Sequence, residues 1–106
     1  MDLFDINLNI PYDLPQERWE QLSLIYPQLP YWKGFLGGVP HWYSCDDNTD
    51  GKLIWASVES SGLQIYAQLP QAEWEDWLAQ FKEKASSLLG YEIGEPEDGY
   101  KFPSYD

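Results

Sequence analysis

Residues 53–69 read LIWASVESSGLQIYAQL, and they contain two runs in which apolar and polar side chains alternate. Alternation with a period of two is typical of a strand that buries one face, and Ser61-Gly62 between the runs is typical of a tight turn. We therefore predict strands over residues 52–60 and 63–69, paired with each other. A further strand over residues 41–45, joined through a turn at 46–51, would complete an antiparallel meander.

The sequence before the meander predicts one more strand, one helix and one loop. Apolar side chains at Phe4, Ile6, Leu8 and Ile10 alternate with polar ones, which indicates a strand that Pro11 ends. Residues 14–26 predict a helix that Pro27 stops. Residues 27–40 contain three prolines, three glycines and three aromatic residues, so we expect a loop without regular structure that packs onto the domain.

The sequence after the meander has the strongest helical pattern in the chain. Large apolar side chains recur at steps of three and four residues from Trp74 to Leu88, and Gly90 is placed to end the helix. Beyond Gly90, prolines and carboxylates predict a short edge strand followed by an acidic tail. These elements define one α+β domain over residues 1–106, with a β-α-β-β-β-α order and a short C-terminal strand or tail. We expect an antiparallel sheet of four to five strands with both helices packed on one face.

An internal similarity links the two helices. Residues 8–20 and 63–75 share leucine, isoleucine, proline, glutamine, tryptophan and glutamate at the same relative positions, and each copy runs from a strand into a helix. Gene duplication and coincidence both explain the similarity, and the sequence alone does not choose between them.

Charge and composition indicate which kinds of partner the protein binds. The formal net charge is −12 on 106 residues, and 17% of the residues are aromatic. Such an excess of acid repels nucleic-acid phosphates and anionic membranes and attracts basic partners, so we expect neither nucleic acid nor membrane as a partner. The alternative that the charge only keeps the protein soluble stays open. No apolar run approaches the length of a membrane span and the first residues are acidic, so we expect a cytoplasmic protein.

The sequence offers few groups for catalysis. It has a single histidine, His41, and a single cysteine, Cys45, which excludes an internal disulfide and a multi-cysteine zinc site. Four residues apart on a strand, the two would lie about 13 Å from each other, too far for thiol activation. We expect a packing or loop-edge histidine, a buried cysteine, no cofactor and no enzymatic activity.

The acidic turn at residues 46–51, DDNTDG, matches the first half of a calcium-binding EF-hand loop. Ser57 occupies the position where such a loop needs a bidentate glutamate, and strands flank the turn where helices would be required. We therefore expect a solvated turn without a bound metal.

The strand pattern also predicts what the sheet face opposite the helices presents. The predicted side chains combine two aromatic rings with amides and carboxylates, a composition common at recognition surfaces. They are Asp5, Asn7, Asn9, Trp55, Glu59, Gln64, Tyr66 and Gln68. Alternatively, Trp55 and Tyr66 form a cross-strand pair that stabilises the sheet, or the loop at 27–40 covers them.

Residues 88–93, LLGYEI, and 95–100, EPEDGY, follow an aromatic helix in a small acidic chain. With its small size, its acidity and this helix followed by an acidic segment, the chain resembles bacterial immunity proteins that neutralise polymorphic or contact-dependent growth inhibition toxins. The resemblance implies one-to-one inhibition of a cognate toxin, often a basic nuclease, by occlusion of its active site or a nearby surface.

We predict that the partner is contacted through the acidic turn, the open sheet face and the acidic tail. The predicted contact residues are Asp46, Asp47, Asp50, Trp55, Glu59, Tyr66, Glu95, Glu97 and Asp98. A regulatory or scaffold module with incidental acidity is the alternative, and an enzyme acting on a small cationic substrate is a third hypothesis. The sequence does not predict the oligomeric state.

Overall fold

Five strands form one antiparallel sheet, in the order β1-β5-β4-β3-β2, in the computed structural model, which describes residues 1–103. The strands are β1 (Asp2–Leu8), β2 (Trp32–Leu36), β3 (Val39–Trp42), β4 (Leu53–Glu59) and β5 (Gly62–Leu69). Helix α1 (Gln16–Ser23) follows β1, and helix α2 (Gln71–Leu89) follows β5. The predicted α+β fold, with an antiparallel sheet and two helices, is confirmed.

The sheet is centred on the hairpin that residues 53–69 predict. Strands β4 and β5 pair from Leu53 opposite Gln68 to Glu59 opposite Gly62, which leaves two residues for the turn. Strand β1 pairs with the other side of β5, so these two strands are neighbours although more than fifty residues separate them in the sequence.

The prediction of an irregular loop over residues 27–40 was wrong. Strands β2 and β3 form a hairpin there, with Leu36 opposite Val39. The two residues between them, Gly37 and Gly38, have φ of 58° and 80°, the left-handed values that a two-residue hairpin turn requires. The glycines therefore build a turn between two strands. Strand β3 also ends earlier than the predicted 41–45, because Tyr43 has a φ of 71° and leaves the extended conformation.

Two further boundaries differ from the prediction. Helix α1 is shorter than residues 14–26, and a 3₁₀ turn, Tyr26–Gln28, follows it with Pro27 in its first turn. After Gly90, which ends α2 in the left-handed conformation, residues 91–103 contain no strand but a 3₁₀ turn, Pro96–Asp98. The last part of the predicted tail, residues 104–106, lies outside the described residues.

Aromatic rings join the helices to the sheet. Trp42 is fully buried in β3, where its ring lies 4.9 Å from that of Trp77 and 5.5 Å from that of Tyr26. Its indole Nε1 donates to the Tyr26 carbonyl oxygen at 3.0 Å, which satisfies a polar atom that burial would otherwise make costly. The core therefore lies between the helices and one sheet face.

Candidate protein-binding surface

Strand register assigns each side chain to one of the two sheet faces. Directly paired residues point to the same face, and a row runs from Phe4 through Ala67 and Ile54 to Trp42, which contacts α2. The next row contains Asp5, Tyr66, Trp55 and His41 and therefore points away from the helices. We call this second face the open face.

Trp55 and Tyr66 are the aromatic centre of the open face. They are direct cross-strand neighbours, and their rings stack with centroids 5.3 Å apart and an interplanar angle of 18°. The cross-strand pair considered from the sequence is thus present. Both side chains are half-buried, so each ring still presents surface to solvent. Within the loop at 27–40, which was considered as a possible cover, residues 32–36 instead form strand β2 at the edge of the sheet.

Two carboxylates of the open face are held by short polar contacts with neighbours on the same face. Gln64 on β5 donates from Nε2 to Asp5 Oδ1 at 2.8 Å, and the Ser57 hydroxyl donates to Glu59 Oε1 at 2.8 Å. Asp5 and Glu59 are exposed. Each carboxylate keeps acceptor capacity for a partner's donor, because one side-chain bond uses only part of it.

The acidic turn folds over one end of the open face. Gln68 donates from Nε2 to the Thr49 carbonyl at 3.0 Å and to the Gly51 carbonyl at 2.6 Å. Leu53, on the same row as Gln68, is only 2% exposed although it lies opposite the helices. Gln68 is therefore a tether for this turn as well as a member of the face.

His41 fastens the acidic turn to the sheet. Its side chain is 2% exposed, with Nδ1 2.8 Å from the Val39 carbonyl oxygen and Nε2 2.7 Å from Asp47 Oδ1. Both partners are acceptors, so the imidazole donates to both only when both ring nitrogens carry protons. Together with Leu36, Trp55 and neighbours, these residues line a depression of about 240 Å³ beside the aromatic pair.

The three predicted aspartates of the turn, Asp46, Asp47 and Asp50, are all exposed. The Asp46 carboxylate accepts from the Asn48 backbone N–H at 3.0 Å, and the Thr49 hydroxyl accepts from the Gly51 N–H at 3.0 Å. Such side-chain bonds to the backbone stabilise a turn. Among residues 1–103, no three His, Cys, Asp or Glu side chains are placed to hold a metal ion.

Two expectations for this face were wrong. Asn9 is not displayed but 1% exposed, because residues 92–101 cross over it and bond to its side chain. Cys45 is half-exposed, since it lies beyond the end of β3, where its Sγ is 3.8 Å from the Lys33 carbonyl oxygen.

Residues 95–97 of the acidic tail lie at the β1 edge. Glu95 and Glu97 line a depression of about 250 Å³ together with Asp5. Partial burial raises the pKa of Glu95, and the nearby Asp98 adds to the effect, while Lys82 opposes it. The fold therefore brings Glu95 and Glu97 close to Asp5 of the open face. Asp98 is in the 3₁₀ turn, exposed to solvent.

Comparisons of this chain with protein-family models, curated proteins and solved structures find no match. No helix among residues 1–103 has the length and apolar character needed to cross a membrane. The functional interpretation therefore depends on the chemistry of the surface.

Proposed function

We propose that this protein is a non-enzymatic inhibitor that binds a basic protein partner through its open face and acidic turn. In its most specific form, the proposal is an immunity protein that neutralises a cognate nuclease-type toxin by occluding its active site or a nearby surface. The observation that supports it is the stacked Trp55–Tyr66 pair on a sheet face opposite the helices, with Asp5 and Asp47 next to it and Glu59 further along β4.

The aromatic pair and the carboxylates would have different roles in binding. Stacked, partly fixed rings provide large contact area at low entropic cost, and tryptophan and tyrosine often dominate binding energy. The carboxylates would attract the lysine and arginine side chains that a nuclease presents to its substrate, and such long-range attraction raises the association rate. Among residues 1–103 one lysine pairs with a carboxylate, Lys52 with Glu73, and His41 contacts Asp47, so most carboxylates in that part of the chain have no cationic neighbour.

The test is a growth-rescue assay, in which the chain is co-expressed with a panel of basic bacterial nuclease toxin domains. A rescued toxin is then purified for inhibition and binding kinetics. The Trp55→Ala/Tyr66→Ala variant should raise the dissociation rate roughly 30-fold or more, because hot-spot truncations cost about 2 kcal/mol. An Asp46→Asn/Asp47→Asn/Asp50→Asn variant should lower the association rate and its dependence on salt.

A matched control is Glu20→Gln/Glu83→Gln/Glu92→Gln, which removes three exposed carboxylates that no predicted contact includes. It should change the association rate less than the turn variant does. Rescue that neither surface variant reduces would overturn the assigned surface. Binding with a salt-independent association rate and no loss of toxin activity would favour the scaffold alternative.

A further inference from the structure

A further cavity, of about 450 Å³, lies between two tyrosines and the N-terminal half of α2. Its lining includes Tyr31, Tyr43, Glu73, Asp76 and Trp77. None of these residues belongs to the open face. The cavity combines aromatic rings, carboxylates and an indole in one place.

Trp77 carries an unused hydrogen-bond donor. The side chain is 1% exposed, and among residues 1–103 its Nε1 is the one buried side-chain nitrogen or oxygen without a hydrogen-bond partner. A buried N–H without an acceptor is costly, so native proteins rarely leave one. Trp77 and the 62% exposed Tyr31 both line the cavity, so an acceptor bound there would need one lining side chain to shift before it contacts the covered N–H.

The two tyrosines are held in an unusual backbone conformation. Tyr31 has a φ of 67° and Tyr43 a φ of 71°, in the left-handed region that large side chains seldom adopt. The Tyr43 N–H donates to the Tyr31 carbonyl at 2.8 Å, and the rings stack with centroids 4.4 Å apart. The strained backbone of the two tyrosines therefore holds two stacked rings at the cavity.

Two carboxylates, Glu73 and Asp76, line the cavity, and one lysine of the chain contacts the first of them. Lys52 lies 2.6 Å from Glu73 and 5.8 Å from the centroid of the Tyr43 ring. Asp76 accepts a bond from Gln80 and has no ion-pair partner among residues 1–103. Burial raises the pKa of Tyr43 to about 12, and Glu73 and Asp76 add to that increase.

We infer that this cavity binds the guanidinium group of an arginine together with an adjoining main-chain carbonyl, presented by a basic protein loop. A planar guanidinium stacks on aromatic rings and pairs with a carboxylate through two parallel bonds, which Tyr31 and Asp76 provide. The carbonyl oxygen supplies the acceptor that the Trp77 N–H lacks. The inference rests on the proposed function for the identity of the loop's owner, but the site's chemistry is tested without any partner.

The probe is N-acetyl-arginine N-methylamide, titrated into the ¹⁵N-labelled protein while the six tryptophan indole N–H signals are followed by NMR. The Trp77 signal is assigned by its absence in Trp77→Phe. We expect a saturable shift of the Trp77 signal with little change at Trp55 on the open face. The norleucine analogue of the probe, which lacks the guanidinium, should leave the signal in place.

Two matched variants of α2 test the carboxylate. Asp76→Asn should weaken probe binding about threefold to tenfold, whereas Glu75→Gln, which removes the neighbouring exposed charge outside the cavity, should change it less than about twofold. No saturable shift, equal shifts with the norleucine analogue, or equal effects of the two variants would each overturn the site. If the arginine probe does not bind this cavity but the chain rescues growth from a toxin, only the arginine site is overturned. If the probe binds but no toxin is rescued, only the proposed function is overturned.

Discussion

Asn9 connects the N-terminal strand to the chain after α2, and its replacement by alanine tests how that segment is held. Its Nδ2 donates to the carbonyls of Glu92 and Lys101 at 2.9 and 2.7 Å, and its Oδ1 accepts from the Gly94 N–H at 2.8 Å. Two acceptors and one donor surround the amide, so they fix which end is oxygen and which is nitrogen. Its backbone N–H and carbonyl also bond, to the Gly94 carbonyl and the Tyr91 hydroxyl.

We expect Asn9→Ala to lower the free energy of unfolding by about 3 kcal/mol. Loss of Oδ1 leaves the buried Gly94 N–H without an acceptor, at a cost of roughly 1–3 kcal/mol. Each bond lost from Nδ2 removes roughly 0.5–1.5 kcal/mol, the usual net contribution of one hydrogen bond. Urea titration followed by tryptophan fluorescence and circular dichroism measures the difference.

Asn7→Ala is the matched control, since Asn7 lies two residues earlier, in β1, and its Oδ1 accepts from the exposed Ser61 hydroxyl at 3.0 Å. We expect it to cost about 0.5 kcal/mol or less. Hydrogen exchange should also become faster at the Gly94 amide in Asn9→Ala. A loss in Asn9→Ala below about 1 kcal/mol, or one no larger than in the control, would refute the anchoring role.

Three further outcomes are expected. Gly62→Ala should destabilise the protein by more than about 2 kcal/mol in urea titration, since a Cβ would overlap the Leu8 carbonyl oxygen. Gly34→Ala, also at positive φ but in open space, should cost less. Equal losses in the two variants would contradict the clash. Glu95→Gln should raise the melting temperature at pH 7 and leave it unchanged near pH 3. Burial and Asp98 raise the pKa of Glu95, so the stabilising contribution of Glu95 is complete below its ordinary pKa and is lost as the pH rises through its raised pKa. A gain of equal size at both pH values would contradict this. Alkaline difference absorbance should show one tyrosine ionising at about pH 12 that is missing in Tyr43→Phe, because burial and the carboxylates of α2 raise the pKa of Tyr43; an unchanged titration curve in the variant would contradict the assignment.

The sheet's centre is predictable because local pattern and tertiary packing agree there. Alternation over residues 53–69 is regular, so it determined the faces and placed Trp55 opposite Tyr66. The same logic failed at residues 27–40, where prolines and glycines were interpreted only as breakers. Gly37-Gly38 between two runs rich in aromatic residues is itself a hairpin signal, and it could have revealed β2 and β3.

The remaining features depend on contacts that local patterns do not encode. Asn9 continues the alternation of β1, and only the return of residues 92–101 explains its burial. The bond between His41 and Asp47 depends on how the turn folds back. The left-handed conformations of Tyr31 and Tyr43 have no sequence signature, because large side chains adopt them only under tertiary constraint.

The positions of the tryptophans allow the core and the open face to be followed separately by spectroscopy. Five of the six tryptophans belong to the core or pack against it, and Trp32, Trp42, Trp74 and Trp77 form a chain of ring contacts. Near-ultraviolet circular dichroism depends on such fixed packing, so it should follow the integrity of the core. Trp55 stacks on the opposite side of the sheet with Tyr66. The difference in emission between the protein and Trp55→Phe therefore isolates events on the open face from those in the interior.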